Sequence, residues 1–146
     1  LEILEIRLSL EGLAAARAAE QATDAHIRDL RRLLDRNDRA IEKQKWADAT
    51  EGNQEFHLAL SNLAGMPVLQ KILKGLWLQM GPLVACYYDT APTGLNLHHY
   101  ALLDAMTQRD GPAAQRAIRA DIASAKPMML TQIAELRKRL DTDEAA

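Results

Sequence analysis

Two polar side chains near the middle of the sequence have the spacing of a metal-binding pair. Asn53 and His57 are four residues apart, so on an α-helix their side chains leave the same face about one turn apart. That spacing allows one helix to offer an amide oxygen and an imidazole nitrogen to a single ion. The chemistry that this spacing predicts is metal ligation. Nucleophilic catalysis is not expected, because no Ser or Cys in the sequence is placed with a base.

Further nitrogen and oxygen donors lie on two other predicted helices. His98 and His99 are adjacent, so they point about 100° apart and only one can face a given interior point. Asp121 shares a helix face with Ile118 and Ile122. A carboxylate on an apolar stripe needs a partner, because an unpaired buried charge is costly.

These donors have two interpretations. In the first, three helices direct Asn53, His57, one of the two adjacent histidines and Asp121 into a common cavity. In the second, the same residues are caps, surface groups or core side chains with one hydrogen bond each, as is expected for His26 on the surface. Spacing along the chain does not distinguish the two, because it cannot bring separate helices together.

The apolar pattern predicts helices to position these residues, and it contains no strand-like alternation. The predicted helices cover about residues 1–21, a segment with Thr23 as its N-cap, 46–64, 67 onward with a kink or break at Gly81–Pro82, 95–108, and 112–140 with a bend at Pro127. Residues 89–94 have the composition of a loop. The predicted fold class is all-α, an antiparallel bundle of six or seven helices enclosing a ligand cavity.

The first predicted helix carries an aliphatic face and one arginine of interest. The expected buried residues are Ile3, Ile6, Leu10, Leu13 and Ala14. Arg7 lies one turn before Glu11, which predicts a salt bridge on the helix surface. The alternative is a guanidinium directed into the cavity, where paired hydrogen bonds would hold an organic acid.

Composition limits the function classes. The 146 residues fit one domain with a single core. Eighteen basic and twenty acidic residues give a formal charge of −2, which provides no basic surface for gripping DNA phosphates. A lone cysteine, Cys86, suits a reducing cytosol, and no apolar run has membrane-spanning length. We therefore expect a cytoplasmic domain that does not bind DNA by itself.

The order of several short motifs resembles one family. Residues 7–15 (RLSLEGLAA) resemble the first helix of the FCD domain, the FadR-type C-terminal domain of GntR-family transcription regulators. Residues 53–60 (NQEFHLAL) and 64–67 (AGMP) are similar to the family's Asp-x-x-Phe-His helix and Ala-Gly-Asn-Pro turn. Residues 99–106 (HYALLDAM) and 113–122 resemble its next helix and its closing helix, so the resemblance covers nearly the whole chain.

The resemblance implies a metal site with two substitutions. Metal-binding family members use an Asp, a His four residues later, a further His and a His on the last helix. The corresponding residues here are Asn53, His57, His99 and Asp121, so Asn stands for Asp and Asp stands for His. A divalent ion such as Zn²⁺, Mn²⁺ or Ni²⁺ remains compatible with these donors. The alternative is a metal-free pocket in which the same residues bind the effector directly.

The resemblance also implies an effector and partners. Small carboxylates such as sugar acids or hydroxy acids are the implied ligands, with Arg7, Gln79, Tyr88 and His98 as candidate contacts. A homodimer is expected, and DNA is expected to bind through winged helix-turn-helix domains that precede residue 1. Residues 1–146 would then form a single effector-binding and dimerisation domain.

Two rival functions come from other classes. A metal-dependent enzyme would need a general base and a substrate cleft, and the sequence contains neither a His-Glu-x-x-His motif nor the Glu-x-x-His pairs of di-iron bundles. A structural helical interaction module would have an entirely apolar interior. The expected function is therefore non-enzymatic ligand sensing.

Overall fold

The computed structural model describes residues 2–90 and 96–143, except for the side chains at 81–83, 85–90, 136 and 139–143. Within these residues it contains six α-helices and no strand. The helices are α1 (Glu2–Gln21), α2 (Asp24–Glu42), α3 (Trp46–Leu63), α4 (Pro67–Thr90), α5 (Leu97–Thr107) and α6 (Gly111–Asp143). The predicted all-α fold class is confirmed. No helix of the described residues is both long enough and apolar enough to span a membrane.

Short, locally encoded turns separate most of the helices. Thr23 caps α2 as predicted, since its hydroxyl accepts a hydrogen bond from the backbone N–H of His26 at 3.3 Å. His26 is exposed and closes the same capping box through its ring nitrogen. Gly65 ends the turn after α3 with a φ of +65°, a conformation that glycine adopts without steric cost.

The buried face of α1 differs from the predicted aliphatic one, and of the predicted residues only Ala14 is fully buried. The residues that α1 buries are Leu4, Arg7, Glu11, Gly12, Ala14, Ala15, Ala18 and Ala19. Leu13, expected in the core, is 39% exposed. Small side chains allow α1 to approach α6 closely, because a Cβ added at Gly12 would lie 3.3 Å from the Arg119 side chain. Because α1 is turned about its axis so that these residues face inward, Arg7 and Glu11 lie in the interior.

The two long helices that contain an internal proline are each continuous. α4 runs as one helix through Gly81 and Pro82 to Thr90, so of the predicted kink or break the break was wrong. α6 runs through Pro127 as a single helix of 33 residues, close to the predicted bounds of 112–140. The length of α6 matters for the site, because its first half brings Asp121 beside the core formed by α3 and α5.

Large apolar side chains from α3, α4, α5 and α6 fill the centre of the bundle. The largest fully buried ones include Phe56, Leu60, Trp77, Leu102, Met106 and Ile118. Several polar side chains are equally buried, among them Arg7, Glu11, Asn37, His57 and His99. An entirely apolar interior, the prediction of a structural interaction module, is therefore not what the described residues form.

Candidate functional site

Three donor groups from three helices meet at one point in the interior. His57 (α3), His99 (α5) and Asp121 (α6) each present one ligand atom, and these atoms lie within 4.8 Å of one another. His57 Nε2 is 3.2 Å from His99 Nε2 and 3.4 Å from Asp121 Oδ2, and His99 Nε2 is 3.3 Å from Asp121 Oδ1. The geometry therefore fits the convergent interpretation of these three residues.

Glu11 fixes the orientation of the His57 ring. Its Oε2 lies 2.5 Å from His57 Nδ1, while its Oε1 accepts a hydrogen bond of 2.5 Å from Arg7 Nε. Both carboxylate oxygens are thus engaged, and the opposite ring nitrogen of His57 faces the cluster. Sequence reasoning missed Glu11 because it was considered only as the partner of Arg7.

The arginine of this pair is not on the surface. Arg7 is 3% exposed, and its guanidinium carbon lies 4.1 Å from the centre of the Trp77 ring, a cation–π distance. The expected surface salt bridge is therefore a buried one. Within the described part of the chain, Arg7 forms a hydrogen bond only through Nε.

The charges of the cluster depend on one another. Burial alone would raise the pKa of Glu11, but Arg7 and His57 outweigh it and lower the pKa to about 2. Burial would lower the pKa of His57, but the carboxylates of Glu11 and Asp121 raise it above 6.5. Burial would likewise raise the pKa of Asp121, and the two histidines instead hold it well below its usual range. A proton on His57 thus supplies positive charge between two carboxylates.

His99 is held by a second set of polar residues. Its Nδ1 lies 2.9 Å from Asn96 Oδ1, and Asn96 Nδ2 donates to Asn37 Oδ1 at 2.9 Å and to Asp38 Oδ1 at 2.7 Å. The Tyr100 hydroxyl donates to the other oxygen of Asp38 at 2.5 Å, and this contact together with burial raises the pKa of the phenol. The sequence analysis did not single out Asn37, Asp38 or Asn96.

Aromatic rings surround the two histidines. The Phe56 ring centre is 4.7 Å from that of His99, and the Trp77 ring centre is 5.1 Å from that of His57. Trp77 Nε1 is buried, and no acceptor among the described residues lies within hydrogen-bond distance of it. A buried donor without an acceptor is costly, so an acceptor atom on a bound ligand would stabilise Trp77 Nε1.

The remaining predicted site residues lie elsewhere or outside the description. Asn53 is half-buried one turn before His57 and forms no hydrogen bond with any described residue, and His98 is half-buried beside His99. Gln79 is exposed, with its Nε2 3.4 Å from the Gly75 carbonyl, so the structure gives it no place at the cluster. The side chain of Tyr88 lies outside the described residues.

The donor set fits a divalent cation. With metal–ligand bonds of about 2.1 Å, neighbouring ligand atoms around an ion are separated by roughly 3.0 to 3.4 Å. The two imidazole nitrogens are separated by such a distance, and each lies at such a distance from one oxygen of Asp121, His57 from Oδ2 and His99 from Oδ1. Each imidazole also has an acceptor for its other ring nitrogen, Glu11 for His57 and Asn96 for His99. Such outer partners are typical of histidine ligands in metal sites.

Three grooves on the described surface lie away from this cluster. One of about 330 Å³ lies between α2 and α3, where Arg36, Lys45 and Glu51 are among its lining residues. Another of about 560 Å³ lies between α3 and α4. The enclosed ligand cavity expected from the sequence therefore stays a prediction.

Comparison with known proteins finds a family match and several named relatives. Residues 2–124 match the family described as FCD domain. The chain is 33% identical over 113 residues to the HTH-type transcriptional regulator McbR of Escherichia coli (strain K12), covering 75% of this chain and 51% of that protein. It is 30% identical over 127 residues to the HTH-type transcriptional repressor NanR of Citrobacter rodentium, covering 82% of this chain and 47% of that protein.

A solved structure shares the architecture. The structure of E. coli McbR/YncC superposes with a TM-score of 0.81 at 28% sequence identity, covering 90% of this chain and 67% of the other. The chain spans about half the length of the curated relatives it matches.

Proposed function

Because this chain belongs to the FCD domain family of GntR-type regulators, a non-enzymatic regulatory family, we propose that it senses a small organic acid through a divalent metal ion. The observation that carries the proposal is the convergence of His57, His99 and Asp121, with both imidazoles oriented by outer partners. Effector binding would favour one arrangement of the regulator over another and so alter its affinity for DNA.

The proposed metal ligands are His57 Nε2, His99 Nε2 and Asp121, with Asn53 as the candidate fourth. Two imidazoles and a carboxylate suit Zn²⁺, Mn²⁺ or Ni²⁺. When bound, the ion would act as a Lewis acid that holds an oxygen of the effector. Three protein ligands leave coordination positions for that oxygen. Asn53 lies one turn from His57, but no hydrogen bond orients its amide among the described residues.

Charge favours an anionic effector. A divalent ion with neutral imidazoles, together with the carboxylates of Glu11 and Asp121 and the guanidinium of Arg7, leaves one net positive charge in a buried site. A carboxylate effector would neutralise it. Arg7 and the unpartnered Trp77 Nε1 are the nearby donors for the effector oxygens. Tyr88 and His98 remain predicted contacts, and the exposed position of Gln79 gives it no support.

Metal and acid binding can be tested by thermal unfolding of the chain after removal of metals with a chelator. We expect Zn²⁺, Ni²⁺ or Mn²⁺ to raise the Tm, and L-lactate, citrate or D-gluconate to raise it further only when the metal is present. His57→Ala and His99→Ala should each abolish the metal-dependent shift. His26→Ala, an exposed histidine that only caps α2, is the matched control. Shifts that survive in both site variants would show that the metal binds elsewhere.

DNA binding and dimerisation are proposals for the whole regulator. The curated relatives are named HTH-type regulators, and the matched segments cover only about half of their length, which supports a DNA-binding domain attached before residue 1. A homodimer would read paired half-sites. The outer face of α4 is the proposed contact surface of this homodimer, since Val68, Ile72 and Leu78 are 74%, 47% and 79% exposed there. Exposed apolar side chains grouped on one face of a helix can mark a protein contact surface.

Sedimentation of the chain tests the dimer. We expect a dimer at micromolar concentration, and Val68→Glu with Ile72→Lys should convert it to a monomer of unchanged helicity. Leu97→Glu changes an equally exposed leucine on α5 and should leave the dimer intact. A wild-type chain that sediments as a monomer, or a dimer lost only through Leu97→Glu, would contradict the α4 surface.

A further inference from the structure

We propose that a chain of hydrogen bonds running from the Ala49 carbonyl through Asn37 and Asn96 sets the tautomer of His99 and so makes its Nε2 a ligand. The inference rests on the proposed metal site and names the residues that prepare it. It assigns Asn37, Asp38 and Asn96 as positioning residues, since each acts through His99 and none is among the proposed metal ligands.

This series of hydrogen bonds begins at the backbone carbonyl of Ala49, a group that can only accept a hydrogen bond. Asn37 Nδ2 donates to the backbone carbonyl of Ala49 at 2.6 Å, and Asn37 is 1% exposed. Because a carbonyl oxygen has no hydrogen to give, the amide of Asn37 must point its nitrogen there. Its Oδ1 is therefore the atom that faces Asn96.

Asn96 is fixed in turn from two sides. It is 4% exposed, and its Nδ2 donates one hydrogen to Asn37 Oδ1 and the other to Asp38 Oδ1. Turning the amide over would place its oxygen against the Asp38 carboxylate and the Asn37 oxygen, both acceptors. The amide therefore presents Oδ1 to His99 Nδ1, at 2.9 Å.

The direction of this chain decides which nitrogen of His99 carries hydrogen. An amide oxygen only accepts, so His99 Nδ1 must be the N–H donor. A neutral imidazole has a single N–H, so Nε2 carries a lone pair where it meets His57 and Asp121. In the opposite tautomer an Nε2–H would stand in the cation's place and block ligation.

Gly52 provides the space that this arrangement needs. A Cβ added to Gly52 would lie 2.9 Å from Asn37 Nδ2, closer than real contacts allow. Any larger residue at this position would displace the Asn37 amide from the Ala49 carbonyl. The close packing of α2 on α3 at Gly52 is thus part of the same device, although Gly52 contributes no polar atom.

The tautomer can be read directly by long-range ¹H–¹⁵N correlation NMR of the histidine rings in alkaline, metal-free buffer. We expect the wild-type His99 to be protonated at Nδ1. Asn96→Leu removes the acceptor and should produce a mixture or the Nε2–H form. Asn62→Leu, an exposed asparagine, is the control.

Zn²⁺ affinity, measured by competition with a chromophoric chelator, is the second readout. Loss of an outer partner weakens metal binding by about 10- to 100-fold, so Asn96→Leu should fall in that range. A wild-type His99 protonated at Nε2 overturns the inference whether or not the variants fold. So does a folded Asn96→Leu with unchanged tautomer and affinity. A wild type that binds no metal overturns the proposed function instead, and the metal-free tautomer still decides this inference.

Discussion

The Glu11 carboxylate links a guanidinium on its own helix to an imidazole 46 residues away along the chain. Its charge is retained in the interior because Arg7 and His57 compensate the cost of burial, as its lowered pKa records. Removing one member of such a group leaves an uncompensated buried charge, which is far more costly than losing a surface pair. The stability of the centre without a metal should therefore depend on pH.

Glu11→Gln tests this dependence in chelator-treated protein. Glu11 has a lowered pKa, so its stabilisation is complete above 4.5 and is lost as pH falls towards about 2. His57 has a raised pKa, so its share is complete below 6.5 and is lost as pH rises through the folded-state pKa. The difference in unfolding free energy between wild type and variant should reach about 3 to 5 kcal/mol. It should be largest between pH 4.5 and pH 6.5, where both contributions are complete.

Urea unfolding across the pH range measures the effect. Glu20→Gln is the control, because Glu20 pairs with Arg17 at 3.2 Å on the same helix with about half of each side chain exposed. An exposed pair contributes less than about 1 kcal/mol. If Glu11→Gln and Glu20→Gln lowered the unfolding free energy equally and independently of pH, the charge of Glu11 would not be coupled to those of Arg7 and His57.

At the level of the helices, rotation about the helix axis decided what the site contains. The predicted aliphatic face of α1 would have left Arg7 and Glu11 outside, whereas the observed face, rich in alanine, turns them inward. The signal was present in the sequence, because Leu4, Glu11 and Ala18 recur at the seven-residue spacing of one helix face. Two charged residues on that stripe marked a polar site.

Alanine substitutions at two glycines should have opposite effects on stability. Gly65 lies in the turn after α3, and Gly75 lies within α4. Gly75 has open space around an added Cβ within a regular helix, so Gly75→Ala should stabilise the chain by up to about 1 kcal/mol. Gly65 has a φ of +65°, where Ala is strained by roughly 1 to 2 kcal/mol, so Gly65→Ala should destabilise it.

Thermal unfolding of both variants at equal protein concentration decides the sign of each change. Gly75 also lies on the outer face of α4 between Ile72 and Leu78, so its variant should be measured in dilute and concentrated solution. A stabilising change that disappears at high concentration would place this glycine in the dimer contact. Destabilisation at every concentration would contradict the open surroundings of Gly75.

For the whole molecule, the centre ties together helices that are far apart in sequence. His57, His99 and Asp121 come from α3, α5 and α6, and Glu11 adds α1. A ligand that binds only the folded state stabilises it by mass action, about 2.7 kcal/mol at a hundredfold excess over the Kd. The same centre is well placed to change how these helices pack when an effector binds.

Asp121→Asn should reduce metal-dependent stabilisation without abolishing folding. The amide keeps an oxygen beside the two imidazoles but removes the negative charge that attracts a cation. At a metal concentration that gives the wild type about 2.7 kcal/mol, the variant should gain less than half, as measured by urea unfolding with and without Zn²⁺. Asp104→Asn, an exposed aspartate on α5, is the control, and equal gains in both would exclude Asp121 as a ligand.

The sequence by itself determined the helices, apart from the continuity of α4 through Gly81 and Pro82. It also determined the Thr23 cap, the residue types on each helix and the family resemblance, because these depend on neighbours within one or two turns. It also identified His57, His99 and Asp121 as donors. Only the tertiary structure decided that these three meet, that Gln79 faces outward, and that Asn96 orients His99. Such contacts join residues that are tens of positions apart, and they depend on how each helix is rotated and shifted against the others, which no local pattern specifies.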